Sequence, residues 1–179
     1  VNSVNIMPSW NILELFKKKK NLKQFIYFST IHVYEKSNSR ISESSHTNPN
    51  SKYGLTHLIS ENIVNYFNNT TNISCINFRL SNSYGSPYFS NLNCWNLVVN
   101  DFCKQAVLDK EILINSDGTQ VRNFVSVNEV CRLIDFMITH FYDGKLLPKV
   151  FNFGGDWTLS ILDIATLIAT QYEKQFEFS

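Results

Sequence analysis

Glycine and proline are scarce in this chain of 179 residues, at six and four. That excludes a collagen-like or low-complexity chain. Charge is also sparse, at 17% of residues against 44% hydrophobic, which excludes a disordered polymer. Neither sign dominates: 16 basic and 15 acidic residues leave a net charge of +1 and a pI near 7.8. Composition therefore points to no nucleic-acid partner and no acidic membrane surface. No apolar run reaches the roughly 18 residues of a membrane-spanning helix. No signal-peptide pattern opens the sequence, and Val1 is not an initiator Met. The expectation is a chain that starts in the middle of a longer one. The four cysteines, Cys75, Cys94, Cys103 and Cys131, form no C-x-x-C pair and no metal-finger spacing to a His. They read as reduced thiols of a cytoplasmic protein, mostly small core residues, with no metal site. Asn69-Thr70-Thr71 and Asn72-Ile73-Ser74 match glycosylation acceptors, which arise by chance in an Asn-rich chain without a secretion signal.

Short apolar runs alternate with amphipathic stretches. Residues 10–20 read as a helix with Trp10, Ile12, Leu13 and Phe16 on one stripe, Pro8 and Ser9 at its start, and Lys17-Lys18-Lys19-Lys20 at its end. The lysine run reads as a solvated helix end, where cations suit the dipole, in preference to a basic binding patch. Residues 25–28, 74–80, 111–114, 124–127 and 150–153 read as strands. The first of these is a continuous apolar run, as in a strand buried on both faces of a parallel sheet. Residues 53–67 read as a helix with Leu55, Leu58, Ile59, Ile63 and Phe67 buried, and further helices follow at 97–108, 128–141 and from Ser160. Asp163, three residues after Ser160, completes a capping box. Residues 35–51 and 82–93 read as loops. This is the pattern of an α/β fold of βαβ units, a parallel sheet flanked by helices, which binds ligands at the carboxyl ends of its strands.

Chemistry is therefore expected after Phe28 and after Leu80. Ser29-Thr30-Ile31-His32-Val33-Tyr34 ends the first strand, and Ser51-Lys52-Tyr53-Gly54-Leu55-Thr56-His57 opens the next helix. A strand-end hydroxyl and a helix-start Tyr can converge on one substrate. A Tyr with a pKa near 10 needs a nearby cation to act as a base at neutral pH. On the residues alone the plainer readings stay open. Tyr53 could be a helix-start surface residue, Thr30 a strand-end cap, Asn82 a turn residue, and Arg122 the partner of an acid such as Asp117.

These segments resemble the extended short-chain dehydrogenase/reductases, the family of nucleotide-sugar epimerases and dehydratases such as UDP-galactose 4-epimerase. The family pattern is a strand, Ser-Ser-x-x-Val-Tyr-Gly, an acidic loop with Pro, then Tyr-x-x-x-Lys. It is matched here by Ser29 to Glu35, by Ile41-Ser42-Glu43, and by Asn48-Pro49 running into Tyr53, with Glu61 as the usual Glu of the Tyr helix. Arg79-Leu80-Ser81-Asn82-Ser83-Tyr84-Gly85 resembles the Arg-x-x-Asn-x-Tyr-Gly segment. The stretch 117–130, with Arg122 and Phe124, resembles Gly-x-x-x-Arg-Asp-Phe-x-x-Val-x-Asp-Val, and residues 150–163 resemble the Asn-x-Gly stretch before a capped helix. Four motifs in order make residues 1–179 one partial domain of this family.

The resemblance implies roles by position. Thr30 and Tyr53 are the catalytic hydroxyl and base, with His57 beside them. Asn5, Ser29, Tyr53 and His57 fall at the NAD or NADP cofactor. Asn82 and Arg122 meet the phosphates of a nucleotide-sugar substrate, a task suited to a planar guanidinium, and Asn96 and Leu97 meet its base. The helix 53–67 is implied as the face of a homodimer.

Three departures stand out. His57 occupies the place of the family's Lys, on the helix face of Tyr53, and a His with a pKa near 6.5 supplies little positive field at pH 7. Lys52 points off that face and is no substitute. None of the six glycines forms the phosphate-binding turn G-x-x-G-x-x-G, and both ends of the chain look clipped. Thr30-Ile31-His32 stands where sugar 4,6-dehydratases carry Thr-Asp-Glu, which favours an epimerase or ketoreductase. The expected function is thus a fragment of an NAD(P)-dependent nucleotide-sugar epimerase or ketoreductase. The alternative is a catalytically inactive binding or regulatory module. Half a sheet with open edges is also expected to be marginally stable or prone to aggregate.

Overall fold

Strands need partners, and the register of those partners decides which face of each helix is buried. A computed structural model describes residues 2–19, 22–36, 40–89, 91–140 and 148–176. They divide into two units, Val1–Ser81 with Arg132–Phe153 and Asn82–Cys131 with Gly154–Ser179.

The first unit holds a parallel sheet of β1 (Gln24–Thr30), β2 (Ser74–Leu80) and β5 (Val150–Phe153), with β2 in the middle. The middle strand has a partner on each side, and five of its residues in a row are buried. Successive side chains of β2 point to opposite faces. On one face Cys75 joins a core of Leu13, Val64, Phe67 and Ile73, supplied by α2 (Met7–Phe16), α3 (Lys52–Thr70) and the turn after α3. A four-residue helix, α1 (Asn2–Asn5), precedes α2. On the other face Ile76 and Phe78 pack with Met137, Leu133 and Ile134 of α5 (Val127–His140). Phe78 is fully buried, stacks on Phe151 at 5.7 Å and leans on Phe153 at 5.5 Å. Each such aromatic pair adds about 0.5–1.5 kcal/mol beyond burial. Burial desolvates the Cys75 thiol and pushes its pKa up to about 12.

The second unit holds β3 (Asn82–Tyr84) parallel to β4 (Val121–Ser126), and β6 (Trp157–Ser160) antiparallel to β4. Phe102 of α4 (Val98–Leu108), Phe124, and Ile164 and Ala165 of α6 (Ile161–Phe176) form its core. Gly118 adopts φ +72, and its carbonyl accepts from the amide of Leu162 at 3.0 Å, closing the turn against the start of α6. The expected capping box is formed: Ser160 Oγ donates to Asp163 Oδ2 at 2.6 Å, and the Asp163 amide donates back to Ser160 Oγ. Ser126 and Glu129 make a second box at the start of α5.

The α/β class holds, with differences in detail. Residues 111–114 are not a strand. Ile112 and Ile114 are instead side chains packed on the second core. Residues 82–84, expected as loop, pair as β3, and β6 was not expected at all. Both are three- and four-residue strands whose pairing, not their composition, makes them strands. β1 lies at the edge of its sheet, and Phe28 is exposed, so it is β2 that is buried on both faces. In α2 only Leu13 of the expected stripe is buried. Trp10 instead lies half-exposed against the rings of Phe67 and Tyr66. The lysine run begins at the C-cap of α2 with Lys17; Lys20 lies outside the described residues.

The largest difference is in α3. Its buried residues are Gly54, Thr56, Ser60, Glu61, Val64 and Phe67, whereas Leu55 and Ile59 are exposed. Polar partners explain this. Glu61, 1% exposed, accepts from Arg79 Nε of β2 at 2.8 Å and from its terminal nitrogen at 2.5 Å, and from Ser29 Oγ of β1 at 2.5 Å. A buried, bidentate ion pair has one satisfactory geometry, and the helix turns to reach it.

Removing one partner leaves an uncompensated buried charge. Glu61→Ala is expected to cost about 3–5 kcal/mol, read as a lower midpoint of urea unfolding with unchanged slope. A loss below about 1 kcal/mol would show that the pair behaves as a surface bridge.

Candidate active site

The carboxyl end of β1 runs into a single 3-10 turn, Ile31–Val33. Thr30 caps that turn: its Oγ1 accepts from the amide of His32 at 3.2 Å. The N-terminus of α3 packs directly on it. Ser51 caps the helix by accepting from the Gly54 amide at 3.1 Å. At Gly54 a Cβ would lie 2.2 Å from the His32 carbonyl oxygen, so only glycine allows this approach. The consequence is that Tyr53, second residue of α3, stands next to the end of β1.

Four rings line up there. Tyr53 is 51% exposed, with His32 edge-on at 5.9 Å and His57 edge-on at 4.5 Å. Behind His57 lies Tyr27 of β1, whose hydroxyl is 2.9 Å from Nδ1 of His57. Burial pushes the pKa of His57 down, opposed by the negative charge of Glu61 and reinforced by His32. The imidazole is therefore neutral at pH 7 and does not replace the field of a lysine. Burial likewise pushes the Tyr27 phenol up, so it remains protonated.

A polar chain supports this cluster from beneath. Ser29 bonds Glu61, and Glu61 pairs with Arg79. The Arg79 guanidinium lies 4.6 Å from the centroid of the Tyr34 ring, and the Tyr34 hydroxyl donates to Asn152 Oδ1 at 2.7 Å. The backbone amide of Asn152 donates to Glu43 and, as the main cause, holds that carboxyl below its usual range. Asn5 is tied to α3 at both ends: its Nδ2 donates to Thr56 Oγ1 at 3.0 Å, and its carbonyl accepts from Ser60 Oγ at 2.7 Å.

Among the expected residues, Tyr53 and His57 are in direct ring contact, and Thr30 reaches them through His32. Ser29 and Asn5 hold the helix and turn in place. The remaining four belong to the second unit. Asn82 sits in β3 and donates to the Asn123 carbonyl at 3.0 Å, so it bridges strands and does not make a turn. Arg122 bonds the Gln120 side chain at 3.2 Å and the Val121 carbonyl at 3.4 Å, and Asp117 accepts from the amide of Thr119. Leu97 is the N-cap of α4, and Asn96 precedes it, exposed. Sequence reasoning missed Tyr27 and His32 as neighbours of the pair. Tyr27 lies inside an apolar run, and only the pairing of β1 beside α3 turns its hydroxyl towards His57.

A sequence profile described as the NAD dependent epimerase/dehydratase family matches residues 1–154. The chain belongs to that family. Its relatives include an uncharacterized UDP-glucose epimerase of Bacillus subtilis, 26% identical over 92% of this chain and 49% of that protein. A dTDP-L-rhamnose 4-epimerase of Burkholderia thailandensis is 32% identical over 69% of this chain and 33% of its own length. Among solved structures, a UDP-glucuronic acid 4-epimerase from Bacillus cereus, in complex with UDP-glucuronic acid and NAD, is 28% identical with a TM-score of 0.82. It is covered over 51% of its chain by 94% of this one. The chain thus spans about half, or less, of the length of these relatives. Among the described residues no helix is long and apolar enough to cross a membrane.

The depressed pKa of His57 has a sign that stability measurements can read. Between the folded value and 6.5 the unfolded chain binds more protons than the folded one, so stability rises with pH. Stability is undiminished above pH 6.5 and is lost as pH falls from 6.5 through the folded-state pKa. Urea midpoints measured at a series of pH values should drop in that window less steeply for His57→Gln than for the parent. An identical drop in both would assign it to another group.

Proposed function

We propose that this chain is part of an NAD-dependent nucleotide-sugar epimerase or ketoreductase in which Tyr53 removes the proton of a sugar hydroxyl. One observation carries the reading. A half-exposed Tyr stands at the carboxyl end of a parallel strand, on a helix start that Gly54 lets approach the turn capped by Thr30. This is where α/β sheets bind their ligands. Relatives whose names include UDP- and dTDP-sugar epimerases support the substrate class.

The residues present fit the ribose end of a nicotinamide cofactor. Tyr53 is open to a ligand, and the ring nitrogen of His57 that faces away from Tyr27 is free of that bond. When bound, NAD supplies the hydride acceptor and donor for the sugar carbon. The chain's own residues do the rest. Thr30 holds the reacting hydroxyl, Tyr53 takes its proton and later returns it, and His57 orients the ribose. Ser29 and Asn5 keep β1 and α3 in register. A neutral His57 offers a developing phenolate far less positive field than a lysine would, so turnover at neutral pH is slow.

His57 also favours a second reading, a binding module that holds nucleotide sugar without turning it over. In the whole protein, Tyr53→Phe should lower turnover by about three orders of magnitude, in line with the loss of a general base. Near-full rate in Tyr53→Phe would overturn the proposal. His57→Lys should raise turnover in an enzyme, and sugar binding with no turnover in either protein favours the module.

A further inference from the structure

We propose that Tyr27 is a positioning residue for His57. It fixes the imidazole as a neutral group with Nδ1 accepting and Nε2–H presented as a directed donor. The inference rests on the proposed function only in assigning that donor to a bound ribose. Its structural half stands without it.

One contact across two elements carries the inference. Tyr27 is on β1 and His57 on α3, so their contact is fixed by the packing of helix on sheet and not by local chain flexibility. The hydroxyl and Nδ1 are 2.9 Å apart, and the rings lie 5.8 Å apart. A half-buried phenol kept in its protonated form has a proton to give, and a neutral imidazole has one nitrogen that can receive it. Donation by Tyr27 leaves the imidazole proton on Nε2, on the opposite edge of the ring. The edge-on ring of Tyr53 at 4.5 Å then limits rotation of the imidazole from the other side. The charged and titratable groups around His57 are Glu61 and Tyr53 on its own helix, His32 on the 3-10 turn and Tyr27 on β1.

A lysine needs no such partner, because its ammonium carries three donors whatever its neighbours do. A histidine at the same place has two neutral tautomers, and only one presents a donor at Nε2. A hydroxyl in the preceding strand therefore makes the substitution workable.

The test uses the protein with 15N-labelled histidine at about pH 8, where imidazoles are neutral. Of the four histidines, His57 is assigned by the signal lost in His57→Gln. The parent should show His57 protonated at Nε2 alone, and Tyr27→Phe, which keeps the ring and its packing, should show both tautomers in exchange. A parent protonated at Nδ1, or an unchanged tautomer ratio in Tyr27→Phe, would overturn the proposal. In the whole enzyme, Tyr27→Phe should raise the KM for NAD about tenfold with little change in kcat, the size of one lost hydrogen bond. In the His57→Lys background the same substitution should have less than about a twofold effect. An equal loss in both backgrounds would mean a packing role and would overturn the proposal. The expected tautomers in a protein without turnover would uphold the positioning role and count against the proposed function alone.

Discussion

The buried pair of Glu61 and Arg79 sets the geometry on which the candidate site depends. An ion pair with both members almost out of water is costly unless well hydrogen-bonded; here Glu61 gives both oxygens to Arg79 and one of them also to Ser29, while Arg79 Nη1 is buried without a hydrogen-bond partner among the described residues. Three elements are thereby tied at one point: α3 through Glu61, β2 through Arg79 and β1 through Ser29. The next residue after Ser29 is Thr30, and one helical turn before Glu61 is His57. Shifting the pair would shift both. Arg79 in addition supports Tyr34 from the face of its ring, which carries the constraint on to Asn152 of β5. Burial works against the guanidinium, but the contacts with Glu61 and Tyr34 outweigh it and hold its pKa above the usual value.

This constraint inverts the ordinary arrangement of an amphipathic helix. The face of α3 that meets the sheet is polar near its N-terminus, with Thr56, Ser60 and Glu61, and apolar only towards Val64 and Phe67. Leu55 and Ile59 are left outside. The stable half of the helix is held by hydrophobic burial, and the half next to Tyr53 by directional bonds. Directional bonds tolerate little displacement, which suits the end of the helix where ring positions matter.

Thr30 stands at the carboxyl end of β1, and Tyr53 and Glu61 lie on α3. Burial keeps His57 beside Tyr53 neutral, so it supplies no permanent positive charge there. Tyr27 and His32 surround the pair with rings. Asn82 and Arg122 are engaged with strand neighbours in the second unit, Asn82 across β3 and β4 and Arg122 along β4 itself.

The order of residues alone determined the α/β class, the limits of β2 and β5, the capping box of Ser160 and Asp163, and the family. Each of these is written in a local signal: an apolar run, a three-residue spacing, or a motif of fixed length. Tertiary structure decided what depends on partners distant in sequence. It made strands of residues 82–84 and 157–160, because a short segment becomes a strand only when another lies beside it. It left residues 111–114 as irregular chain, because no strand pairs with them in the described residues. It buried the polar stripe of α3, because Arg79 lies eighteen positions from Glu61 and no helical periodicity can announce it. And it placed a tyrosine from an apolar strand against His57, a contact across thirty residues that only the packing of α3 on β1 creates.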